Sequence, residues 1–202
     1  NAVRQGVAQG ETNAQIVGRV AGTKTQPGVM DTSQRNAEAL VRTSVQTVTN
    51  EARLAVFENN ADVLEGIEQV STLDSRTTNI CIAYDGATWG LDEAHRPIAP
   101  NKLQYNGGCP RHWGCRSTIV PKVKPLVAGL EGFNPSERAS EHGPTRAKTF
   151  SAWLDGKSKS YQDKLLGAGR AELFRDGKMT LPQLLDQWGR PLTLKQLEAS
   201  YA

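Results

Sequence analysis

The strongest pattern along the chain lies between residues 33 and 59, where neither Pro nor Gly interrupts the sequence. Apolar side chains recur there at three- and four-residue steps, and they are Ala37, Leu40, Val41, Val45, Val48, Ala52 and Val56. Because this spacing places them on one face of a helix, it predicts a long amphipathic helix. Asp31, Thr32 or Ser33 can cap its first turn, and Asn59 and Asn60 are suited to end it.

Shorter elements are predicted on either side of this helix. Thr12 and Gln15 have the spacing of a capping box, which predicts a short helix over residues 13–21. The β-branched residues after Gly66 predict a strand within residues 63–73.

The middle of the chain alternates short elements with loops. Residues 77–84 follow polar capping residues and are predicted to form a short helix. Residues 87–108 contain several Pro and Gly residues and are expected to form a loop. Residues 117–120 predict a second strand, which Pro121 is expected to end.

The C-terminal part is predicted to be helical after a linker. Residues 126–145 are rich in Gly, Pro, Ser and charge, which is typical of a linker or surface loop. The helices expected beyond it span residues 146–154, 160–166 and 168–175, with two more capped by Thr180 and Thr193. The fold class predicted is α+β and mostly helical, with the long amphipathic helix packed against a small antiparallel sheet and followed by a C-terminal helical extension.

Composition narrows the class of protein without identifying it. The 202 residues are 38% hydrophobic and 6% aromatic with a net charge of +3, which fits one domain with or without a small annex. This charge is too small to indicate a nucleic-acid partner by itself. No apolar run approaches the ~18–20 residues of a transmembrane helix, and the first residues lack the order of a signal peptide. Because the chain begins at Asn1, we expect a fragment or processed form of a longer protein.

The clearest local chemistry is a cluster of cysteine and histidine. Cys109, His112 and Cys115 lie three residues apart, and Cys81 lies upstream on the predicted short helix. Zinc prefers four thiolate or imidazole ligands in a tetrahedron, and these four residues supply one such set. Alternatives are a disulfide within the set, or a packing role for buried free thiols.

Catalytic patterns are sparse. The sequence contains no Gly-x-Ser-x-Gly, P-loop or His-Glu-x-x-His motif. His95, His112 and His142 can suit an acid–base nuclease, but they lie in loop-like segments, where histidines are usually solvated. We therefore expect no enzymatic activity.

A basic stretch overlaps the cysteine and histidine segment. It consists of Arg111, Arg116, Lys122 and Lys124, with Trp113 among them. Such side chains can contact a phosphate backbone. The alternative interpretation is an ordinary solvated face.

Three segments together resemble the phage Mu protein F-like family of minor head proteins, also called phage head morphogenesis proteins. They are residues 41–44 (VRTS) in the long helix, residues 70–78 (VSTLDSRTT) leading to Cys81, and residues 110–116 (PRHWGCR). The similarity covers about residues 1–125, and residues 150–197 look like the C-terminal extension of siphophage members.

The resemblance also bears on the metal site. Cys81, His112 and Cys115 fall on family positions that have been read as a metal site. This sequence departs from the family pattern at Thr78 and Ser117, where many members have cysteine. Cys109 stands where proline is more usual, so the tetrad here requires Cys109. The cofactor implied is structural Zn2+, and a metal-free site held by hydrogen bonds is the alternative.

The function implied by the resemblance is structural. Such proteins act in few copies during capsid assembly, at the portal vertex or inner capsid, and are linked to DNA packaging or ejection. The partners implied are the portal protein, the major capsid protein or a scaffold protein, with contact to packaged DNA and no membrane or small-molecule substrate. The expected location is the virion, and the host cytoplasm during assembly.

The corresponding division of the chain has three parts. Residues 1–125 form the head-morphogenesis core, with N-terminal helices to residue 60 and a strand and metal-loop part from residue 61. Residues 126–145 form the linker, and residues 146–202 form the helical extension. The alternative functions are a zinc-containing nuclease or toxin-like enzyme, and a zinc-stabilised DNA-binding module.

Overall fold

A computed structural model describes residues 1–98, 103–125, 137–147, 149–186 and 190–201 of the chain. Helices predominate and a small antiparallel sheet lies among them, so the predicted α+β, mostly helical class is confirmed. No helix within these ranges combines the length and the apolar character needed to cross a membrane.

Three helices form the N-terminal part of the protein. Helix α1 spans Ala2–Ala8, α2 spans Asn13–Ala21 and α3 spans Gln34–Glu58. The predicted capping box of α2 is present, because the Thr12 hydroxyl accepts from the Gln15 backbone N–H and the Gln15 side chain accepts from the Thr12 N–H. Ile16 and Val20 of α2 are buried against Val41 of α3. Helix α1 is absent from the predicted elements. No side chain caps it, so the sequence lacks the capping pattern that would have indicated its start.

The sheet has four antiparallel strands in the order β3-β2-β1-β4. Strand β1 spans Leu64–Val70, β2 spans Thr88–Trp89, β3 spans Pro97–Ile98 and β4 spans Thr118–Val123. Strands β2 and β3 lie within residues 87–108, where the sequence predicts a loop. The pattern does not reveal them because two residues are too few to show an alternation of apolar and polar positions. Strand β4 continues through Pro121, which pairs with Ile67. The expected stop is wrong because β4 is an edge strand, and the missing N–H of proline is tolerated there.

Helix α4 spans Asn79–Ala83, inside the helix predicted over residues 77–84. It follows the end of β1 and precedes the turn at Asp85 and Gly86 that leads into β2. Cys81, Ile82 and Ala83 are all buried, so this short helix contacts its surroundings on several sides.

The stretch expected to be a linker contains a hairpin. Strand β5 spans Arg138–Ser140 and β6 spans Gly143–Thr145, while residues 126–136 lie outside the described residues. The hairpin is held to the rest of the chain by backbone bonds from Leu73 N to Ala139 O and from Glu141 N to Leu73 O, each 3.0 Å. The composition of the hairpin is as polar as that of a loop. The sequence pattern therefore cannot distinguish it from a linker, and the pairing with Leu73 is what identifies it.

The C-terminal helices are short. Helix α5 spans Phe150–Asp155, α6 spans Lys159–Leu166, α7 spans Ala168–Arg175 and α8 spans Leu194–Tyr201, with a 3₁₀ turn over Leu181–Leu184. Helix α5 begins later than residue 146 because the hairpin occupies residues 143–145 and Thr149 caps the helix through Ala152 N. Thr180 precedes the 3₁₀ turn rather than the α-helix expected there.

These C-terminal elements pack on residues of the first half of the chain. Leu73 and Ile82 belong to the same buried cluster as Phe150, Leu154 and Leu184. The division of the chain at residues 125 and 145 remains a prediction, but this cluster draws residues from both sides of it.

A buried ion pair reinforces the contact. The Asp85 carboxylate accepts from Arg138 Nη2 at 2.5 Å and from the backbone N–H groups of Ser71 at 2.8 Å and Phe150 at 2.7 Å. The Arg138 guanidinium also donates to the Ser71 carbonyl oxygen. The Arg138 side chain of the hairpin and the backbone at the start of α5 are thereby fixed near the end of β1.

Candidate metal centre

Three of the four predicted ligands meet at one point. Cys81 comes from α4, and His112 and Cys115 come from the loop that leads into β4. The Cys81 Sγ atom lies 3.6 Å from Cys115 Sγ and 3.3 Å from His112 Nε2, and all three ligand atoms lie within 4.8 Å of one another. Because α4 and the loop are 31 residues apart in sequence, only the fold brings them together.

These distances fit a tetrahedral metal site. With zinc–sulfur bonds of about 2.3 Å and zinc–nitrogen bonds of about 2.0–2.1 Å, two sulfur ligands lie about 3.8 Å apart and a sulfur and a nitrogen about 3.6 Å apart. The observed 3.6 Å and 3.3 Å are a few tenths of an ångström shorter. A small outward movement of each ligand would therefore accommodate the ion.

The sulfur of Cys115 interacts with both other cysteines. Its interactions with the Cys109 and Cys81 thiols hold its pKa well below the usual range. Donation to Cys115 and burial raise the pKa values of Cys81 and Cys109. Binding of a metal would displace the protons that the thiols of this cluster carry.

Cys109 lies beside this trio. It is buried, and it is not one of the three residues whose ligand atoms all lie within 4.8 Å of one another. All three cysteines are free thiols. Cys109 is thus a neighbour of the site.

The ring of His112 is oriented for a ligand at Nε2. Its Nδ1 lies 2.9 Å from the Trp113 carbonyl oxygen, which can only accept, so Nδ1 carries the proton. The Nε2 lone pair then faces the cluster, where the Thr78 hydroxyl donates to it at 2.9 Å. Thr78 thus contacts the nitrogen that would bind a metal.

A second layer of hydroxyl groups supports the trio. The buried Ser71 hydroxyl donates to the Cys81 carbonyl oxygen at 2.8 Å and lies 2.9 Å from the Ser117 hydroxyl. These bonds tie α4 to the first residues after the loop. Conserving the relative position of two ligand-bearing segments is the usual role of such outer contacts.

The long helix positions the loop through polar side chains. The Thr43 hydroxyl accepts from Gly114 N at 2.9 Å, Gln46 donates to the Ser117 carbonyl oxygen at 2.5 Å, and Asn50 accepts from Ile119 N at 3.1 Å. Arg53 donates to Thr118. We name the helix side chains Thr43, Gln46, Asn50 and Arg53 the polar seam. Sequence reasoning misses the seam because it reads the helix by its apolar residues, although spacings of three, four and three already place the four on one face.

The predicted basic residues each have a partner within the protein. Arg116 donates to Asp74 at 2.5 Å, which lowers the pKa of that carboxyl to about 2. The two lysines also have partners. Lys122 Nζ lies 3.5 Å from the Glu65 carboxylate, and Lys124 donates to the Asp62 carbonyl oxygen.

The fourth basic residue, Arg111, lies in an aromatic pocket. Its guanidinium carbon lies 3.5 Å from the centre of the Tyr84 ring, and its Nε donates to Gln69 at 2.6 Å. Burial lowers the pKa of Arg111, and the nearby Cys109 opposes this lowering. Contact of the four basic residues with nucleic acid remains a prediction.

The three histidines have different surroundings. His95 stacks on Tyr105 and lies 3.4 Å from Glu58, whereas the exposed His142 lies 3.3 Å from Glu141. Of the described histidines, only His112 belongs to a cluster that can hold a metal.

Comparison with known proteins identifies the family of the chain. The family model described as phage Mu protein F like protein matches residues 1–120, which include both ligand-bearing segments. The chain therefore belongs to the phage Mu protein F-like family, and this membership indicates a phage head morphogenesis protein. No curated protein and no solved structure matches the chain.

Proposed function

We propose that the protein is a minor head protein of a bacteriophage virion, acting at the portal vertex or the inner capsid during assembly and DNA packaging or ejection. Family membership over residues 1–120 carries this proposal. The function then resides in surfaces that contact the portal protein, the major capsid protein or a scaffold protein. No catalytic step is assigned to the chain.

The second part of the proposal is a structural zinc ion in the loop. Cys81, His112 and Cys115 would hold it, with Cys109 as the fourth ligand once its thiol turns from Cys115 to the ion. Support comes from the meeting of three ligand atoms within 4.8 Å. Four protein ligands leave no position for a reactive water, so the metal would stabilise the fold.

The metal is tested on purified protein. We expect about one zinc per chain by elemental analysis and a lower melting temperature after chelation, because a structural site forms only in the folded chain. Cys115→Ser should abolish uptake, whereas Ser200→Ala, at a serine outside the site, should leave it unchanged. Metal-free protein with the same melting temperature as the loaded protein would contradict the zinc assignment.

The role in the virion is tested in the phage. Cryo-EM of intact particles, focused on the portal vertex, is expected to show density for this chain against the portal or the inner capsid. Particles formed without the chain should have defects of assembly, packaging or ejection. Metal-dependent degradation of DNA or RNA that is lost in His112→Ala would contradict a purely structural role and favour a nuclease.

A further inference from the structure

Arg111 is a half-buried cation whose hydrogen bonds go to neutral groups. Its Nε donates to the Gln69 amide oxygen at 2.6 Å and its Nη1 donates to the Asn106 amide oxygen. Gln69 is fully buried, and the guanidinium stacks on Tyr84, with Trp89 5.8 Å away. The Nη2 atom is buried and has no hydrogen-bond partner among the residues that the structure describes.

The two other arginines anchored near the centre each have a carboxylate. Arg138 pairs with Asp85 at 2.5 Å and Arg116 pairs with Asp74 at 2.5 Å. For Arg111, no carboxylate lies within 4.0 Å in the described part of the chain. A desolvated charge is costly unless an opposite charge compensates for it, so the position of Arg111 calls for a negative group nearby.

The sulfurs of the metal loop can supply that negative charge. Arg111 lies between Cys109 and His112 in sequence, and its guanidinium stacks on Tyr84, at the end of the helix that carries Cys81. Negative charge on Cys109, Cys81 and Cys115 favours the charged form of Arg111. With zinc bound to three thiolates and a neutral imidazole, the charges sum to +2 − 3 = −1. With two thiolates and a neutral imidazole they sum to zero, and Arg111 would remain uncompensated.

We propose that Arg111 is the counter-cation of a three-thiolate metal centre, and that it stabilises the bound metal by neutralising the charge added by Cys109. The inference rests on the proposed zinc site. It names Arg111 as the residue that offsets the negative charge of a fourth, anionic ligand. Arg111 thus acts inside the molecule, as a positioning residue for the centre, instead of presenting its charge to a nucleic acid.

The test measures zinc affinity by competition with a chelator, and the number of thiolate ligands by the charge-transfer absorption of the cobalt-substituted protein. We expect Arg111→Met to weaken zinc binding at least about tenfold, as loss of a supporting contact usually does, without reducing the cobalt absorption. Arg116→Met removes the same charge from a residue that has its own carboxylate, and should bind zinc within about threefold of the wild type.

A double-variant cycle separates charge from packing. In the Cys109→Ser background, which removes one thiolate, Arg111→Met should have little further effect on zinc affinity. Arg111→Lys keeps the charge and should retain most of the affinity. An Arg111→Lys variant as weak as Arg111→Met, or an undiminished Arg111→Met effect in the Cys109→Ser background, would overturn the inference.

The outcomes also distinguish the two proposals. If the wild type takes up no zinc or cobalt, the zinc site itself is wrong. If the wild type binds zinc and Arg111→Met binds it equally well, only the role of Arg111 is wrong. Should Arg111→Met fail to fold, Arg111→Lys decides, because retained affinity supports the charge and a loss of about tenfold or more refutes it.

Discussion

Asp85 is the carboxylate that fastens the C-terminal hairpin and α5 to the end of β1, so Asp85→Ala is the most informative single change to stability. The Asp85 side chain is 1% exposed and that of Arg138 is 9% exposed. Alanine at this position removes the carboxylate from Arg138 and the acceptor from the backbone N–H groups of Ser71 and Phe150.

The magnitude follows from these contacts. Breaking a buried ion pair by removing one member costs about 3–5 kcal/mol, and each buried N–H left without an acceptor costs about 1–3 kcal/mol. Because these contacts share one carboxylate, their costs are not additive, and we expect a total loss of about 5–6 kcal/mol in the free energy of unfolding. That is a large fraction of the roughly 5–15 kcal/mol of an ordinary domain.

The assay is urea unfolding followed by circular dichroism. Asp85→Asn keeps one acceptor oxygen and should lie between the wild type and Asp85→Ala. Asp92→Ala is the matched control, since it removes an exposed carboxylate paired with Arg96 and should cost less than about 1 kcal/mol. A smaller dependence on urea in Asp85→Ala would show that the C-terminal helices leave first. Equal stabilities of Asp85→Ala and Asp92→Ala would refute the reasoning.

Three further changes test other contacts. The pKa of Asp74 is lowered to about 2 by its arginine partner, so its ionised form stabilises the fold above about pH 4 and this contribution is lost as the pH falls towards 2. Asp74→Asn should remove that part of the pH dependence of thermal unfolding, and an unchanged profile would contradict it. Asn50→Ala should lower the free energy of unfolding by about 1–3 kcal/mol, because Asn50 is buried and accepts two bonds from β4. A methyl group on Gly66 would lie 2.2 Å from the Trp89 carbonyl oxygen, so Gly66→Ala should lower the melting temperature sharply, while Gly90→Ala, with its nearest atom at 3.8 Å, should not. Similar melting temperatures for the two glycine variants would count against this close approach.

Local patterns account for the elements that could be predicted from the sequence. The long helix agrees with α3 because its apolar residues repeat with the helical period. Ser33, one of the three capping residues expected, caps it through Asn36 N. The ligand set could be proposed because three of its members lie within seven residues, and because cysteine and histidine are few in the chain.

What could not be predicted depends on contacts between distant residues. The hairpin at residues 138–145 is recognisable only through its pairing with Leu73, and the polar seam only through the loop that lies 71 residues from Thr43. Arg111 belongs to a basic stretch in the sequence, yet in the fold it stacks on Tyr84. Periodicity cannot report such interactions, because they depend on which segments the whole chain brings together.

Helix α4 has only five residues, and neighbouring side chains on it serve two different environments. Cys81 faces the candidate centre, whereas Ile82 lies in the cluster that contains α5. Because Cys81 and Ile82 are adjacent in a helix of five residues, we expect that fixing the position of Cys81 also restricts the movement of Ile82. Metal binding in the loop should therefore affect α5. We expect slower amide hydrogen exchange in Phe150–Asp155 when metal is bound than after it has been removed.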